Sequence, residues 1–522
     1  MRAIDSASLL RRGQDGEWHF GPGVRGLSDD SRQVGPGEIF VAVRGGRDDG
    51  HHHLGEAAAR GAVAAVVETP APADAPPSLP LIAVTNTRRA LAELASAWYG
   101  HPSRSLRLIG VTGTNGKTTC ALMIVAILTA SGLRARALGT LGPFPAHDGY
   151  PLTTPFPLQL ERTLRHFVDA GVEAVALEVS SHALTQHRVG ASEFDAAVLT
   201  SLGRDHLDYH GTLKAYWAAK TRLFKDLGRT PRHKTTPTVA ILPAEGAGPA
   251  AVRRHVRVPC RTFAIGADAE AEVDVVARDV RPTRWGSRFV LVHRGREQAV
   301  RIHLPGRMNV ENALAAAATA LALGVGPESV AGGLDRLRRV PGRLERLSLP
   351  GGGFAVVDYA HNPDALEQLL RAVRAAHPGR RLALVLGGRG HRDRGKLPGM
   401  GAVAALYADL LVLTEDSPLD EDPRVLAAAI ASGVPGTSAL PVEFVAGREA
   451  ALTRAIDRVG PGGLVVVTGR GHERRQWLGE RVVDRTDAEM VRHAARAAVA
   501  AVAPTPPTTA ARMPARRPRP GR

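Results

Sequence analysis

The chain has 522 residues, 44% of them apolar, with 67 lysines and arginines against 51 acids and a formal net charge of +16. Two cysteines, Cys120 and Cys260, exclude a disulfide scaffold and argue against a thiolate metal cage. No apolar run reaches membrane-spanning length, and Met1-Arg-Ala-Ile-Asp5 lacks a signal-peptide core, so a cytoplasmic protein with no membrane partner is expected. Five of the positive charges sit in the tail at Arg512, Arg516, Arg517, Arg519 and Arg522. The others are scattered and aromatics are few, which disfavours a nucleic-acid partner and suits an enzyme of anionic substrates. Only Lys117, Lys214, Lys220, Lys225, Lys234 and Lys396 are lysine. A chain that writes nearly every cation as arginine has kept the amine at a few places where chemistry can be the reason.

Alternating strand-like and helix-like segments indicate an α/β protein. Residues 1–103 read as a small α/β lobe. Turn residues Leu27-Ser-Asp-Asp-Ser-Arg32 precede the β-rich Glu38-Ile-Phe-Val-Ala-Val43, and the stretches from Ala57 to Val67 and from Arg88 to Trp98 read as helix, strand and helix. Ser31 and Arg32 lie on a loop beside a strand, where a phosphate or sugar can be held.

Residues 104–340 form the next unit, around Gly110-Val-Thr-Gly-Thr-Asn-Gly-Lys-Thr-Thr119. An apolar run (Leu106, Leu108, Ile109, Val111) enters this stretch and a helical pattern from Ala121 to Leu128 leaves it. Strand, glycine loop, helix is the context of a phosphate-binding loop. The spacing from Gly110 departs from the G-x-x-x-x-G-K-[ST] pattern, while Gly113-Thr114-Asn115-Gly116-Lys117-Thr118 keeps its closing part. Backbone N–H groups and the helix N-terminus would cradle phosphates, Lys117 would lie along them, and Thr118 would offer its hydroxyl to Mg²⁺.

Four polar clusters follow: Thr153-Thr154-Pro155 after Gly149-Tyr150, Glu178-Val-Ser-Ser181 ending a buried strand, Gln186-His-Arg188, and Arg204-Asp-His-Leu-Asp-Tyr-His-Gly211 before a helix with Tyr216 and Lys220. An acid at a strand end opposite a phosphate loop is what Mg²⁺ coordination requires. His206 and His210 lack the third histidine or cysteine of a zinc site. Residues 264–303 read as short strands, and an alanine-rich helix starts near Asn309.

Residues 341–502 read as a third, Rossmann-like unit. Strands at Ala355–Tyr359, Leu382–Leu386, Leu410–Thr414 and Leu464–Val467 each run into a polar loop, as in a doubly wound sheet with its site at the carboxyl edge. Residues 503–522 are rich in proline, threonine and arginine and read as a disordered tail.

These ordered motifs, with Asn309, Asp358-Tyr-Ala-His361 and Gly469 to Glu473, resemble the Mur ligase family over roughly residues 24–490. Thr153-Thr-Pro155 with Glu178-Val-Ser-Ser-His182 favours its tripeptide-forming branch. The resemblance implies three units: an N-terminal UDP-sugar-binding domain (1–103), a central ATP-binding P-loop domain (104–340) and a C-terminal amino-acid-binding domain (341–502). It implies ATP, Mg²⁺ and a carbamylated Lys220. It also implies two organic substrates, UDP-N-acetylmuramoyl dipeptide and an amino acid, joined by a monomeric ligase through an acyl phosphate.

By resemblance, Lys117, Glu178, His206 and Lys220 are catalytic, and Thr118, Glu178, His206 and carbamylated Lys220 hold metal. Gly113 to Thr119 (Gly113, Thr114, Asn115, Gly116, Lys117, Thr118 and Thr119), with Asn309, Arg343 and Asp358, bind ATP. Ser31, Thr153, Thr154, Ser181, Gln186 and Arg188 hold the UDP-sugar peptide. Arg392, Asp416, Ser417, Leu419, Gly469 and Glu473 meet the amino acid.

The chain departs from the family where that amino acid binds. Asp416-Ser-Pro-Leu419 replaces the Asp-Asn-Pro-Arg of diaminopimelate-adding members, and Gly469-Arg470 replaces Gly-Lys. An acceptor other than meso-diaminopimelate, such as L-lysine, is therefore expected. A paralogue joining a different carboxylate and amine, or a non-catalytic nucleotide-binding protein, stays open.

Overall fold

The computed structural model describes residues 6–46, 48–73, 75–142, 152–228, 232–266 and 273–502. The expected disordered tail 503–522 and the pair Gly149-Tyr150 lie outside the described residues.

The N-terminal sheet has four parallel strands in chain order: Gly26–Ser28, Glu38–Val41, Ala64–Glu68 and Leu81–Val84. Successive side chains of a strand face opposite ways, so both faces are apolar. Ile39 and Val41 pack with Leu91 and Leu94 of the helix Thr87–Trp98. Phe40 packs on the other side with Leu54 and Ala57 of the helix Leu54–Ala59.

The central sheet has nine strands, in the order Arg296–Ile302, Gly286–His293, Val275–Thr283, Cys260–Ile265, Val239–Pro243, Ala196–Leu199, Arg107–Thr112, Ala174–Glu178 and Ala135–Leu138. The first three are joined antiparallel, and the rest are parallel. Arg107–Thr112 lies between Ala196–Leu199 and Ala174–Glu178. The phosphate loop, Glu178 and Thr200 therefore leave the sheet side by side at its carboxyl edge. The helix Arg307–Ala322 is buried along most of its length. Its alanines let it lie close to the sheet and to the helix Lys117–Ala130 in one core.

Where short strands are expected between 264 and 303, the structure has the end of Cys260–Ile265 and then strands of nine, eight and seven residues. The turn between two of them carries Trp285 onto the C-terminal unit. Its ring lies 4.7 Å from Phe354 and 4.4 Å from His377, with the Arg346 guanidinium 4.1 Å above it.

The C-terminal sheet runs Glu345–Ser348, Phe354–Val357, Leu464–Val467, Leu382–Leu386, Leu410–Leu413 and Val442–Phe444, parallel except for its first strand. The two edge strands go unrecognised in the sequence because neither has an apolar run; both are partly exposed along their length. The hairpin Arg475–Leu478 with Arg481–Asp484 is likewise missed. Among the described residues no helix is long and apolar enough to cross a membrane.

Candidate active site

Two glycines shape the phosphate loop. Gly113 (φ 153°) would place a Cβ 2.0 Å from Thr200 Oγ1, and Gly116 (φ 86°) would place one 2.2 Å from Asn312 Oδ1. Both approaches and both torsions require glycine. The loop is tied down by its neighbours: Thr114 N–H donates to the Ser201 carbonyl at 2.9 Å, and Asn115 N–H donates to Ser201 Oγ at 3.1 Å. Gly116 then caps the helix Lys117–Ala130, which leaves the first N–H groups of that helix facing the loop.

Lys117 Nζ donates to the carbonyls of Gly113 (3.0 Å) and Thr114 (3.1 Å). Burial pushes its pKa down, against the pull of Glu178. Thr118 donates its hydroxyl to Glu178 Oε2 at 2.8 Å, and Thr140 donates its N–H to Oε1 (2.9 Å) and its hydroxyl to Oε2 (3.1 Å). Glu178 and Thr118 thus present hard oxygens together beside the phosphate loop, the donor type that suits Mg²⁺.

A cavity of about 360 Å³ opens from the phosphate loop toward the C-terminal unit. Thr118, Glu178, Thr153, Arg188, His206 and Asn309 line it from the central unit, and Arg343, Asp358, Arg389, Arg392 and Glu473 line it from the C-terminal unit. Arg343 stacks over the Tyr359 ring at 4.5 Å and reaches Thr118 Oγ1 at 3.4 Å. Asp358 accepts from the N–H groups of Leu344 (2.7 Å) and Ala360 (2.8 Å), while burial raises its pKa. At the far end Glu473 accepts from Arg389 (2.8 Å) and Tyr359 OH (3.1 Å). Burial opposes its charge, but Arg389 wins and its pKa stays low.

Beside the cavity, His182, His206, Tyr209, His210 and Tyr216 pack as rings, with His182 centred 4.9 Å from His206 and 5.5 Å from His210. His206 takes a left-handed backbone (φ 54°). Burial drives His182 down to about 3 and His206 to about 2, so both are neutral imidazoles able to offer a lone pair. The structure adds the third histidine that the sequence lacked for zinc, yet among the described residues no cluster of His, Cys, Asp and Glu can hold a metal unaided. Lys220 is 1% exposed, donates to the Gly113 carbonyl at 2.8 Å and does not line the cavity.

The other expected residues divide into those at the cavity and those behind it. Thr153 faces it and accepts from Thr140 at 3.4 Å. Thr154 is buried behind, donating to the Glu178 carbonyl at 2.8 Å, and Arg188 donates to the Thr154 carbonyl at 2.6 Å and to Gln186. Ser181 pairs with His210 at 3.0 Å. Ser31 lies in the N-terminal unit and donates to Glu56 at 2.6 Å, outside the cavity lining.

Among the residues expected to meet the amino acid, Arg392 lines the cavity and pairs with Asp208 at 3.7 Å. Asp416 is 3% exposed, and its Oδ1 has no hydrogen-bond partner among the described residues. Gly469 (φ 104°) passes so close to Asp416 Oδ2 that a Cβ would lie 2.3 Å away. Ser417 is fully buried and accepts from Trp477 N–H at 3.3 Å. Leu419 (φ 60°) pairs its backbone with Trp477 and Gly479. Neither Ser417 nor Leu419 lines the cavity.

Sequence reasoning assigned no role to Arg389, Thr140 or the contact between units around Asp205. Buried Asp205 accepts from His361 (3.1 Å), Asn362 (3.3 Å) and Lys396 (3.5 Å), all from the C-terminal unit. The signal available was an acid beside His206 in one motif and a histidine and asparagine in the other, but their meeting is a matter of tertiary structure.

A phosphate loop whose cavity is completed by a second α/β unit defines a multi-unit nucleotide-dependent enzyme. The three units match known domains one by one: residues 23–99 the Mur ligase family catalytic domain, 111–320 the Mur ligase middle domain and 342–471 the glutamate ligase domain of Mur ligases. The chain belongs to the Mur ligase family. It is 40% identical over 489 residues to the UDP-N-acetylmuramoyl-L-alanyl-D-glutamate–2,6-diaminopimelate ligase of Geobacillus kaustophilus (strain HTA426), covering 93% of this chain and 97% of that protein. It is 41% identical over 453 residues to the protein of the same name from Xanthomonas campestris pv. campestris (strain 8004), covering 86% and 89%. A solved structure of a ligase of that name superposes with a TM-score of 0.61 at 30% identity, over 91% of this chain and 95% of the other.

Proposed function

We propose that the chain is an ATP-dependent amide ligase of peptidoglycan precursor synthesis. It joins an amino acid to the D-glutamate carboxylate of UDP-N-acetylmuramoyl-L-alanyl-D-glutamate. The observation that carries this reading is the single cavity with the phosphate loop at one end and the Arg389–Glu473–Tyr359 cluster at the other. The relatives' names supply the substrate.

In this reading ATP lies over the phosphate loop, with Asn309, Arg343 and Asp358 around its adenosine and phosphates. Lys117 trades its two carbonyl contacts for the γ-phosphoryl oxygens and meets the charge that develops as the substrate carboxylate attacks. Thr118 and Glu178 would hold Mg²⁺, with His206 and a carbamate on Lys220 holding a second ion; such ions neutralise phosphate charge and orient its oxygens. The buried Lys220 amine has its pKa driven well below normal, first by burial and then by Lys117. An unprotonated amine can attack CO₂, forming an N–C bond and releasing one proton, and the product is an oxygen-donor anion. The acyl phosphate loses phosphate when the acceptor's unprotonated amine attacks, and Glu473 would hold an ammonium group of that acceptor. Contacts from Asp205 to the C-terminal unit tie the two sides of the cavity together, and closing further over the substrates would exclude water. ATP and a nucleotide-sugar substrate make the cytoplasm the expected compartment, and a cavity complete within one chain suits a monomer.

Diaminopimelate is the acceptor supported by the relatives' names. One sequence feature favours a second reading, an amino acid without a distal carboxylate such as L-lysine: Leu419 holds the motif position at which diaminopimelate-adding members have arginine, and leaving that carboxylate uncompensated is costly. Mass spectrometry of reactions with ATP, the UDP-dipeptide and single amino acids tests both. A product mass raised by one amino acid, only with ATP, supports the ligase. A clear kcat/KM preference for diaminopimelate removes the lysine reading, and no product with any amino acid removes the ligase.

A further inference from the structure

Behind the acceptor end of the cavity lies a charged cluster that touches no cavity surface. Arg448, Arg470 and Asp487 are 2%, 0% and 0% exposed, and none lines the cavity. Arg448 begins the helix Arg448–Val459 and Asp487 begins the helix Asp487–Val502. Arg448 grips Asp487 with two parallel bonds, Nε to Oδ1 at 2.7 Å and Nη2 to Oδ2 at 2.8 Å. Arg470 adds a third bond to Oδ1 at 3.0 Å.

Other donors of the pair go to loop carbonyls, while Arg470 Nε finds no partner among the described residues. Arg448 donates to Thr468 O (2.6 Å) and Glu415 O (3.2 Å), which follow two different strands. Arg470 Nη2 donates to the carbonyls of Glu473, Arg474 and Arg485, each at 3.0 Å. The loop after the intervening strand Leu382–Leu386 is caught between them. Gly387 packs so tightly that a Cβ would lie 2.5 Å from Thr414 O and 2.6 Å from Asp416 N.

We propose that Arg448, Asp487 and Arg470 are positioning residues that hold Arg389, Asp416 and Glu473 in register for the acceptor amino acid. The inference rests on the ligase reading above and adds to it the means by which its acceptor end is held rigid. Burying two guanidiniums and one carboxylate is a poor route to stability, since well-packed apolar groups serve as well. What charge supplies here is direction. A planar fork sets angles between a carboxylate and several carbonyls at once, which an aliphatic side chain or a single ammonium does not. Glu473, which lines the cavity, and Asp416, buried behind it, are acids held in nearly dry surroundings beside this cluster, so a small loop displacement alters what the acceptor's ammonium group meets. The phosphate loop is tied to other strands and shares no bond with the cluster.

The test is steady-state kinetics of the full chain with Arg470→Lys and, separately, Arg448→Lys, which keep the charge and lose the fork. Asp487→Asn serves as a third variant should either fail to give a cooperative melt. The acceptor KM is expected to rise about tenfold or more, with the KM for ATP and for the UDP-dipeptide staying within about twofold of the unmodified chain. An unchanged acceptor KM in a folded variant overturns the proposal, as does an equal rise in all three. The unmodified chain is measured first. No amino-acid-dependent turnover there overturns the ligase reading and this proposal with it, whereas normal turnover with an unmoved acceptor KM in the variants overturns this proposal alone.

Discussion

Lys117 and Lys220 donate to the same carbonyl, that of Gly113, at 3.0 Å and 2.8 Å. One amine comes from the start of the phosphate-loop helix and the other from the helix Leu213–Asp226, so the loop is clamped from both sides. Two ammonium groups converging in a buried place repel each other. Burial first, and then the Lys117 charge, leave a Lys220 amine far easier to deprotonate than an exposed one.

Lys117→Ala removes the cation that the proposed reaction turns toward the phosphoryl group. A positioned contact of this kind contributes about 10²–10³ in rate, so ligation is expected to fall at least that far. Phosphate release with full substrates is the assay. Near-normal release would show that this loop does not carry the transfer.

Lys220→Ala is expected to be nearly inactive and to regain part of its rate with short-chain carboxylates, which replace the missing oxygen ligands. Lys220→Arg keeps the charge but does not form the carbamate, and should stay inactive. Normal turnover by the arginine variant would end the carbamate account.

The phosphate loop and the placing of Glu178 at the end of a buried strand were legible because each is local: glycines, a following helix and an acid after an apolar run. The four inner strands of the C-terminal sheet were legible for the same reason. The acceptor end was not. Ser417 reads as a binding residue but spends its hydroxyl on Trp477 N–H, a partner sixty residues away on a hairpin without an apolar signature. Arg470 reads as a substituted motif lysine and turns out to be a fully buried tie between loops. Lys234, one of the six lysines, reaches Asp195 at 2.6 Å and two carbonyls, so its retention reflects a strut rather than chemistry.

Asp205→Ala should open the contact between the central and C-terminal units, because His361, Asn362 and Lys396 all converge on that carboxylate. A displacement of about 1 Å at the reacting groups costs on the order of a hundredfold in rate. The expected outcome is a kcat loss of that order, with a larger radius of gyration in solution scattering. An unchanged kcat would assign the contact to stability alone.

His377 is buried between Trp285 and Phe354, and its Nε2 has no hydrogen-bond partner among the described residues. Burial, with Arg380 nearby, lowers its pKa from 6.5 to about 4. Between those values the unfolded chain takes up a proton that the folded chain refuses, so stability rises with pH across this window and falls on acidification. His377→Phe removes that term. The drop in Tm from about pH 7.5 to about pH 5 should be smaller in the variant than in the unmodified chain, and equal drops would contradict this.

The most direct measurement follows a heavy oxygen isotope placed in the D-glutamate carboxylate of UDP-N-acetylmuramoyl-L-alanyl-D-glutamate. If that carboxylate attacks the γ-phosphoryl group and the acceptor amine then displaces phosphate, one labelled oxygen leaves in the phosphate released. The account predicts labelled phosphate in step with amide product, only when ATP and an amino acid are both present. Unlabelled phosphate, or ATP consumed without amide formation, would contradict it.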